Sequence, residues 1–390
     1  MKILFIDESI NRVGGVERVI STLSNKLSNN NNVDVMSVYK SSDKPFYQYN
    51  ENVNISYLID SRKYKTNKLK SKNIKYYFFR VFEKLRDKLI LNKKIDKMIL
   101  NFNNYDVIIF GRVFTAIDFL NRLKDRTNAK VIVRDAIHLE YYSEEVKNKI
   151  KALFPKYVDK LIVSSDESIN AYNKFFSNNE GLELVKIYNP LGILPNVKYN
   201  FSSKTIISIG RLDEQKGYDN LIMAFSLISD KYNDWKLKIY GDGNYENYLK
   251  KIISDKNLKN QVEILPSVKD VVKIFNESSI FVLPSRYEGY ANILVEALSC
   301  GIPSVSYDWY MGVEEIIDDG INGFVVKLKN RKDYFNGINY KEDIENLSKK
   351  IEYMINNQNK CLEISKNASS IIDSRSIEII IDKWTKIIKE

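Results

Sequence analysis

Two carboxylates, Glu288 and Glu296, lie eight residues apart in the stretch from Pro284 to Pro303, and two cations, Arg211 and Lys216, stand five apart between Gly210 and Gly217. A carboxylate accepts hydrogen bonds from two hydroxyls at once, whereas cations and unused backbone amides neutralise an anion. Together the four suit a ligand that carries both vicinal hydroxyls and a charged phosphate-like group. The run Ser279-Ile-Phe-Val-Leu283 is apolar and β-prone, so it reads as a buried strand that Pro284 ends. Residues 284–291 are then a loop at its carboxyl end. From Asn292 the residues Ile293, Leu294, Ala297 and Leu298 recur at helical spacing, and Gly301 and Pro303 stop the pattern. Glu288 therefore sits on the loop and Glu296 on the helix. The backbone N–H groups of Gly289, Tyr290, Ala291 and Asn292 mark a helix start where an anion binds readily. Arg211 follows a strand ending near Gly210, and Lys216 precedes a helix opened by Gly217.

The first half holds a second set. Gly14 and Gly15 follow the opening strand and precede the helix Val16–Leu27, where glycines let a ligand approach the backbone. No G-x-G-x-x-G follows, so this is not a dinucleotide fingerprint. Glu17 fits either an acidic motif position or a favourable place on the helix dipole. His138 is the single histidine of the chain, in a loop just beyond a strand ending at Val133. A lone histidine is more often structural than functional. Arg134 and Asp135 share that loop and have the chemistry to bind hydroxyls or to pair with each other.

Short apolar runs alternate with amphipathic segments along the whole chain, beginning with Lys2–Ile6, which Asp7 and Glu8 cut far short of a signal peptide. This βαβ rhythm predicts an α/β protein with two doubly wound, Rossmann-like parallel sheets. A length of 390 residues also favours two cores over one. Turn residues gather at 189–196, which makes that stretch the expected linker and divides the chain into 1–195 and 196–374, followed by a terminal helical segment 375–390. Ligands bind outside the carboxyl ends of such strands, so two sheets facing each other would enclose an interdomain cleft.

Composition narrows the classes. Two cysteines, Cys300 and Cys361, stand far apart without metal-ligand spacing, which disfavours a disulfide framework or a zinc site and fits a reducing compartment. No apolar stretch approaches the ~20 residues needed to span a bilayer. The net charge of +10 lies wholly in residues 1–200, and the segment Arg62–Leu100 alone carries a net +11 interleaved with Tyr76, Tyr77, Phe78, Phe79 and Phe82. Such a segment suits an anionic lipid surface, with about 1 kcal/mol from each basic residue near the headgroups. It equally suits a soluble helical pair with solvated lysines, and the same features raise a nucleic-acid-binding reading.

Several separated segments agree in order with one family. Gly14-Gly15-Val16-Glu17, Gly210-Arg211-Leu212, Gln215-Lys216-Gly217, the E-x7-E pair Glu288 and Glu296, Gly312–Ile317 and Asp319–Phe324 together resemble the retaining glycosyltransferases of family 4, which have the GT-B fold. The resemblance covers most of the chain. It implies that Arg211 and Lys216 bind the diphosphate of a nucleotide sugar and that Glu296 takes the ribose hydroxyls. Glu288 would lie near the transferred sugar, and the backbone at Gly15, Gly210 and Gly289–Asn292 would lie against the donor. His138 would contact donor sugar or acceptor, and the terminal helix would pack back on the first domain. The implied reaction is transfer of a hexose or N-acetylhexosamine with retention by front-face displacement, the leaving phosphate taking the acceptor's proton, with no metal and no cofactor besides the co-substrate.

The resemblance favours UDP-linked donors and a lipid-linked surface saccharide as acceptor. It tilts the basic segment toward a membrane surface, with a cytoplasmic enzyme peripheral to the inner face and no nucleic-acid partner. A protein serine or a teichoic-acid polyol stays open as acceptor. Gln215 stands where an acidic residue is common, and Ala291 and Val313 replace a frequent glycine or proline, which leaves the sugar open.

Overall fold

A computed structural model describes residues 1–64, 88–176, 181–193, 199, 201–268, 270–309 and 312–390. Most of the basic segment Arg62–Leu100, the end of the expected linker, and Tyr310 and Met311 lie outside the described residues. Residues 88–99 of the basic segment are helical, and Ile95 among them is buried in a core. Among the described residues no helix is long and apolar enough to cross a membrane.

The chain forms two compact units, Met1–Pro190 with Glu378–Glu390, and Leu191–Ile377. The first division falls at Pro190 instead of residue 195, because the Leu191 amide donates to the Arg375 carbonyl at 3.0 Å and so belongs to the second unit. The return to the first unit comes at Glu378, three residues later than the expected 375.

The first unit is a seven-stranded sheet of β1 (Lys2–Asp7), β2 (Asn32–Lys40), β3 (Val53–Asp60), β4 (Val107–Phe110), β5 (Lys130–Arg134), β6 (Lys160–Val163) and β7 (Glu183–Lys186). Its spatial order is β3-β2-β1-β4-β5-β6-β7, and every pairing is parallel. Inner parallel strands are covered on both faces, which explains why β1, β4 and β6 are buried almost throughout, whereas the edge strands β3 and β7 are not. The two-residue period divides the inner strands. Leu4, Ile6, Ile108, Phe110, Val131 and Val133 enter one core, while Ile3, Phe5, Val107, Ile109 and Ile132 enter the other. The second core also takes Val19, Ile20 and Leu23 of the helix Gly15–Leu27, and Ile380, Trp384, Ile387 and Ile388 of the final helix Ile377–Lys389.

The second unit has six parallel strands, β8 (Thr205–Ile209), β9 (Lys236–Tyr240), β10 (Val262–Leu265), β11 (Ile280–Leu283), β12 (Ser304–Tyr307) and β13 (Phe324–Val326), in the order β10-β9-β8-β11-β12-β13. In each sheet the chain leaves two adjacent strands in opposite directions, β1 and β4 in the first, β8 and β11 in the second. Such switch points open a crevice between the loops that follow the strands.

Candidate active site

Lys216 and Glu288 meet at the switch point of the second sheet. Lys216 ends a short turn, Glu214–Lys216, after β8, and Gly217 follows in the left-handed conformation with φ of +64° before the helix Tyr218–Ser226. A Cβ on Gly217 would stand 2.1 Å from the Pro284 carbonyl oxygen, so only glycine lets this turn touch the end of β11. The contact brings Lys216 Nζ to 2.6 Å from Glu288 Oε1, and Ser285 Oγ donates to the same oxygen at 2.6 Å. Both charged side chains are nearly buried, at 12% and 8% exposure.

Arg286, which sequence reasoning passed over, fastens the two loops. Its guanidinium donates to both carboxylate oxygens of Asp219, at 3.1 and 2.8 Å, and to Asn339 Oδ1 at 3.0 Å, over the face of the Tyr334 ring. The Arg286 amide donates to the Gln215 carbonyl at 2.7 Å, and Gln215 Nε2 donates to the Tyr287 carbonyl at 2.9 Å. The one signal in the sequence was complementary charge, Asp219 in the first turn of a helix and Arg286 on a loop, after strands that prove to be neighbours. Arg211 is not brought to the pair. Its side chain is 61% exposed and is held by Asp213 at 2.9 Å and Gln215 Oε1 at 3.0 Å. Gly210 instead makes room behind, since a Cβ there would lie 2.7 Å from the Tyr218 hydroxyl and 3.2 Å from Lys216 Cε.

The helix Asn292–Ser299 begins at Ala291, which supplies no side-chain cap, and Glu296 is buried on it. Helical side chains lean toward the amino end, the end at which this helix leaves its backbone N–H groups unused. Tyr290, just before that helix, accepts a hydrogen bond from Arg375 Nε at 2.7 Å, and Arg375 Nη2 donates to the Glu315 carbonyl at 2.7 Å. The turn that begins at Gly312, with φ of +111°, is thereby tied to the helix start.

In the first unit the expected residues lie at the carboxyl ends of β1 and β5. Gly15 opens the helix Gly15–Leu27, and a Cβ on Gly14 would collide with the Glu17 carboxylate at 2.2 Å. Glu17 is buried and paired with Arg112, whose Nε also donates to the fully buried Asp7 at 3.0 Å, so its place is an ion-pair cluster and not only the helix dipole. Burial pushes the carboxyls of Asp7 and Glu17 above their ordinary range, with Arg112 offsetting part of that. Neither Asp7 nor Arg112 was legible as a site residue.

Arg134 and Asp135 do not pair with each other. Arg134 Nη2 donates to Asn189 Oδ1 at 2.7 Å, and Asp135 receives the hydroxyls of Tyr142 at 2.7 Å and Tyr172 at 2.8 Å and the Ile137 amide at 3.1 Å. Asp135 thus spends three acceptor sites on neighbours inside the unit, and burial raises its carboxyl to about 6 even so. His138 is buried, and its Nδ1 accepts from the Glu140 amide at 3.1 Å. The ring proton therefore belongs on Nε2, and desolvation lowers the imidazole to about 4, leaving a neutral donor at neutral pH.

Residues 197–370 match the family model of group 1 glycosyl transferases. The chain is 29% identical over 396 aligned residues to an uncharacterized glycosyltransferase of Haemophilus influenzae, with 99% of each covered. It is 23% identical, over 100% of its own length and 99% of the other, to a Campylobacter jejuni enzyme named as an α-1,4-N-acetyl-D-galactosaminyltransferase acting on an undecaprenol-diphosphate-linked saccharide. Its fold matches the crystal structure of Anabaena HepE in complex with UDP and glucose, with a TM-score of 0.71 at 17% identity over 100% and 99% of the two chains. The comparisons support a glycosyltransferase of the GT-B fold. The two parallel α/β units and their switch points are those of that fold.

Proposed function

We propose that the chain is a retaining, metal-independent transferase that moves a hexose or N-acetylhexosamine from a UDP-sugar to a lipid-linked saccharide. The observation that carries this reading is the nearly buried Lys216–Glu288 pair at the β8/β11 switch point. Lys216 spends one of its three N–H donors on Glu288 and keeps two for a diphosphate, where negative charge grows as the glycosidic bond breaks. The start of the helix Asn292–Ser299 adds its dipole to that anion, and Glu296 takes the ribose hydroxyls. Glu288 orients Lys216 and lies beside the transferred sugar. Arg211, held on the surface, has a secondary part in binding the diphosphate. His138 offers its Nε2–H to a sugar hydroxyl.

The UDP complex of HepE supports the nucleotide, and the lipid-linked acceptor named for the Campylobacter relative supports the acceptor class. The basic segment Arg62–Leu100 supports attachment to an anionic membrane at the cytoplasmic face. The test is transfer from a panel of UDP- and GDP-sugars to polyprenyl-diphosphate saccharides, with and without a chelator, and NMR of the product's anomeric configuration. A chelator-resistant α-linked product from a UDP donor supports the reading. An inverted anomer, or transfer only with metal, rejects the mechanism.

A further inference from the structure

At the switch point of the first sheet, Arg112 is clamped by two carboxylates that come from different elements. Asp7, the last residue of β1, accepts from Nε at 3.0 Å, and Glu17, from the first helix, accepts from Nη2. Arg112 follows β4 directly after Gly111, where a Cβ would lie 2.9 Å from Asp7 Oδ1 and 2.5 Å from Ile20 Cδ1. The clamp fixes the guanidinium plane while the side chain stays 25% exposed. Among the described residues, Asp7 Oδ2, the Tyr49 hydroxyl and Arg134 Nη1 are buried polar atoms with no protein partner. Asp7 is the charge that acts most strongly on both Tyr49 and Arg134, so these atoms share one neighbourhood. Native interiors leave few such groups unmatched, and a cluster of them at a sheet's ligand edge calls for a ligand.

The charges select its chemistry. Asp7 and Glu17 against Arg112 and Arg134 sum to zero, so a phosphate or carboxylate would meet as much repulsion as attraction. Hydroxyls both give and accept hydrogen bonds, and they match this alternation of a carboxylate oxygen, a hydroxyl and two guanidinium edges. Resting on the transferase reading above, we propose that Arg112, positioned by Asp7 and Glu17, binds the hydroxyls of the neutral terminal sugar of the acceptor, with Asp7 Oδ2 and Arg134 Nη1 completing the contact.

Direct binding of a neutral methyl glycoside panel and of the matching glycosyl phosphates, followed by NMR on the full chain, tests this without needing turnover. UDP binding is measured in parallel. Arg112→Lys keeps the charge but loses the planar fork, and it is expected to weaken the best neutral glycoside at least ~10-fold, with Glu17→Gln weakening it less because it only loosens the clamp. Both variants are checked by thermal melting, because removing one partner of a buried cluster also destabilises. Equal glycoside affinity in wild type and Arg112→Lys overturns the inference, as does tighter binding of the glycosyl phosphate than of the neutral glycoside. A wild type that binds UDP but no glycoside overturns it while leaving the donor site standing; failure to bind UDP at all counts against the transferase reading itself.

Discussion

Arg286 grips Asp219 through two guanidinium nitrogens, and the grip joins the loop that carries Glu288 to the helix that follows Lys216. The pair is almost fully buried, at 2% and 7% exposure. Taking away one member leaves the other charge desolvated and alone, a loss on the order of 3–5 kcal/mol. Asp219→Ala is therefore expected to lower the urea midpoint and Tm by more than Lys216→Ala, which also opens a nearly buried pair but leaves Glu288 its bond from Ser285. Equal melting of the two variants would show that Arg286 finds another partner.

Lys216→Ala should strike the reaction harder than the fold, because the Glu288 oxygen it leaves behind keeps the Ser285 hydroxyl. Loss of one charge-assisted contact to the leaving group is expected to lower kcat/KM at least ~10-fold, about 1.4 kcal/mol, with kcat falling more than KM rises. Steady-state kinetics with a UDP donor read this directly, and a change confined to KM would assign Lys216 to ground-state binding alone.

Gly217→Ala tests the close approach of the two loops. The substitution meets the Pro284 carbonyl and a φ of +64° at the same position, so the turn must move away from β11. Activity is expected to fall toward that of Lys216→Ala, because the ammonium no longer reaches Glu288. An alanine variant with wild-type kinetics would mean the turn tolerates the shift.

How much of this was legible in the sequence follows from which interactions are local. The strand Ile280–Leu283 and the helix Asn292–Ser299 were read from apolar runs and stop residues within a few positions of each element, and buried parallel strands give strong signals of that kind. Glu288 and Lys216 were found through glycines and motif spacing. Arg286, Arg112 and Asp7 were not, since their partners lie on other loops and a charged residue beside a strand end looks like any surface charge. For the same reason the sequence did not show that Arg211 stands apart from the Lys216–Glu288 pair, held by its neighbours Asp213 and Gln215. The burial of Glu17 likewise appears only once β1, β4 and the first helix are together.

Asp135 and His138 oppose each other in acid. Asp135 holds its proton to about 6 in the folded chain against an ordinary 3.8, so stability falls as pH rises from about 4 to 6. His138 is lowered from 6.5 to about 4, so the unfolded chain binds a proton that the folded chain refuses, and stability rises with pH across the same window. Each contributes a slope of up to about 1.4 kcal/mol per pH unit, with opposite sign. Asp135→Asn is expected to make stability climb more steeply between pH 4 and 6 than in wild type, and His138→Gln to make it climb less or fall. Urea melts at half-unit intervals check this; curves parallel to wild type would show that neither group titrates as its surroundings dictate.

The most direct test of the account is calorimetric titration of UDP into the folded chain and into Glu296→Ala. One UDP should bind per chain, and the variant should bind at least ~10-fold more weakly, because the helix carboxylate no longer receives the ribose hydroxyls. No heat at millimolar UDP from a sample with a cooperative melt, or an unchanged affinity in Glu296→Ala, would contradict it.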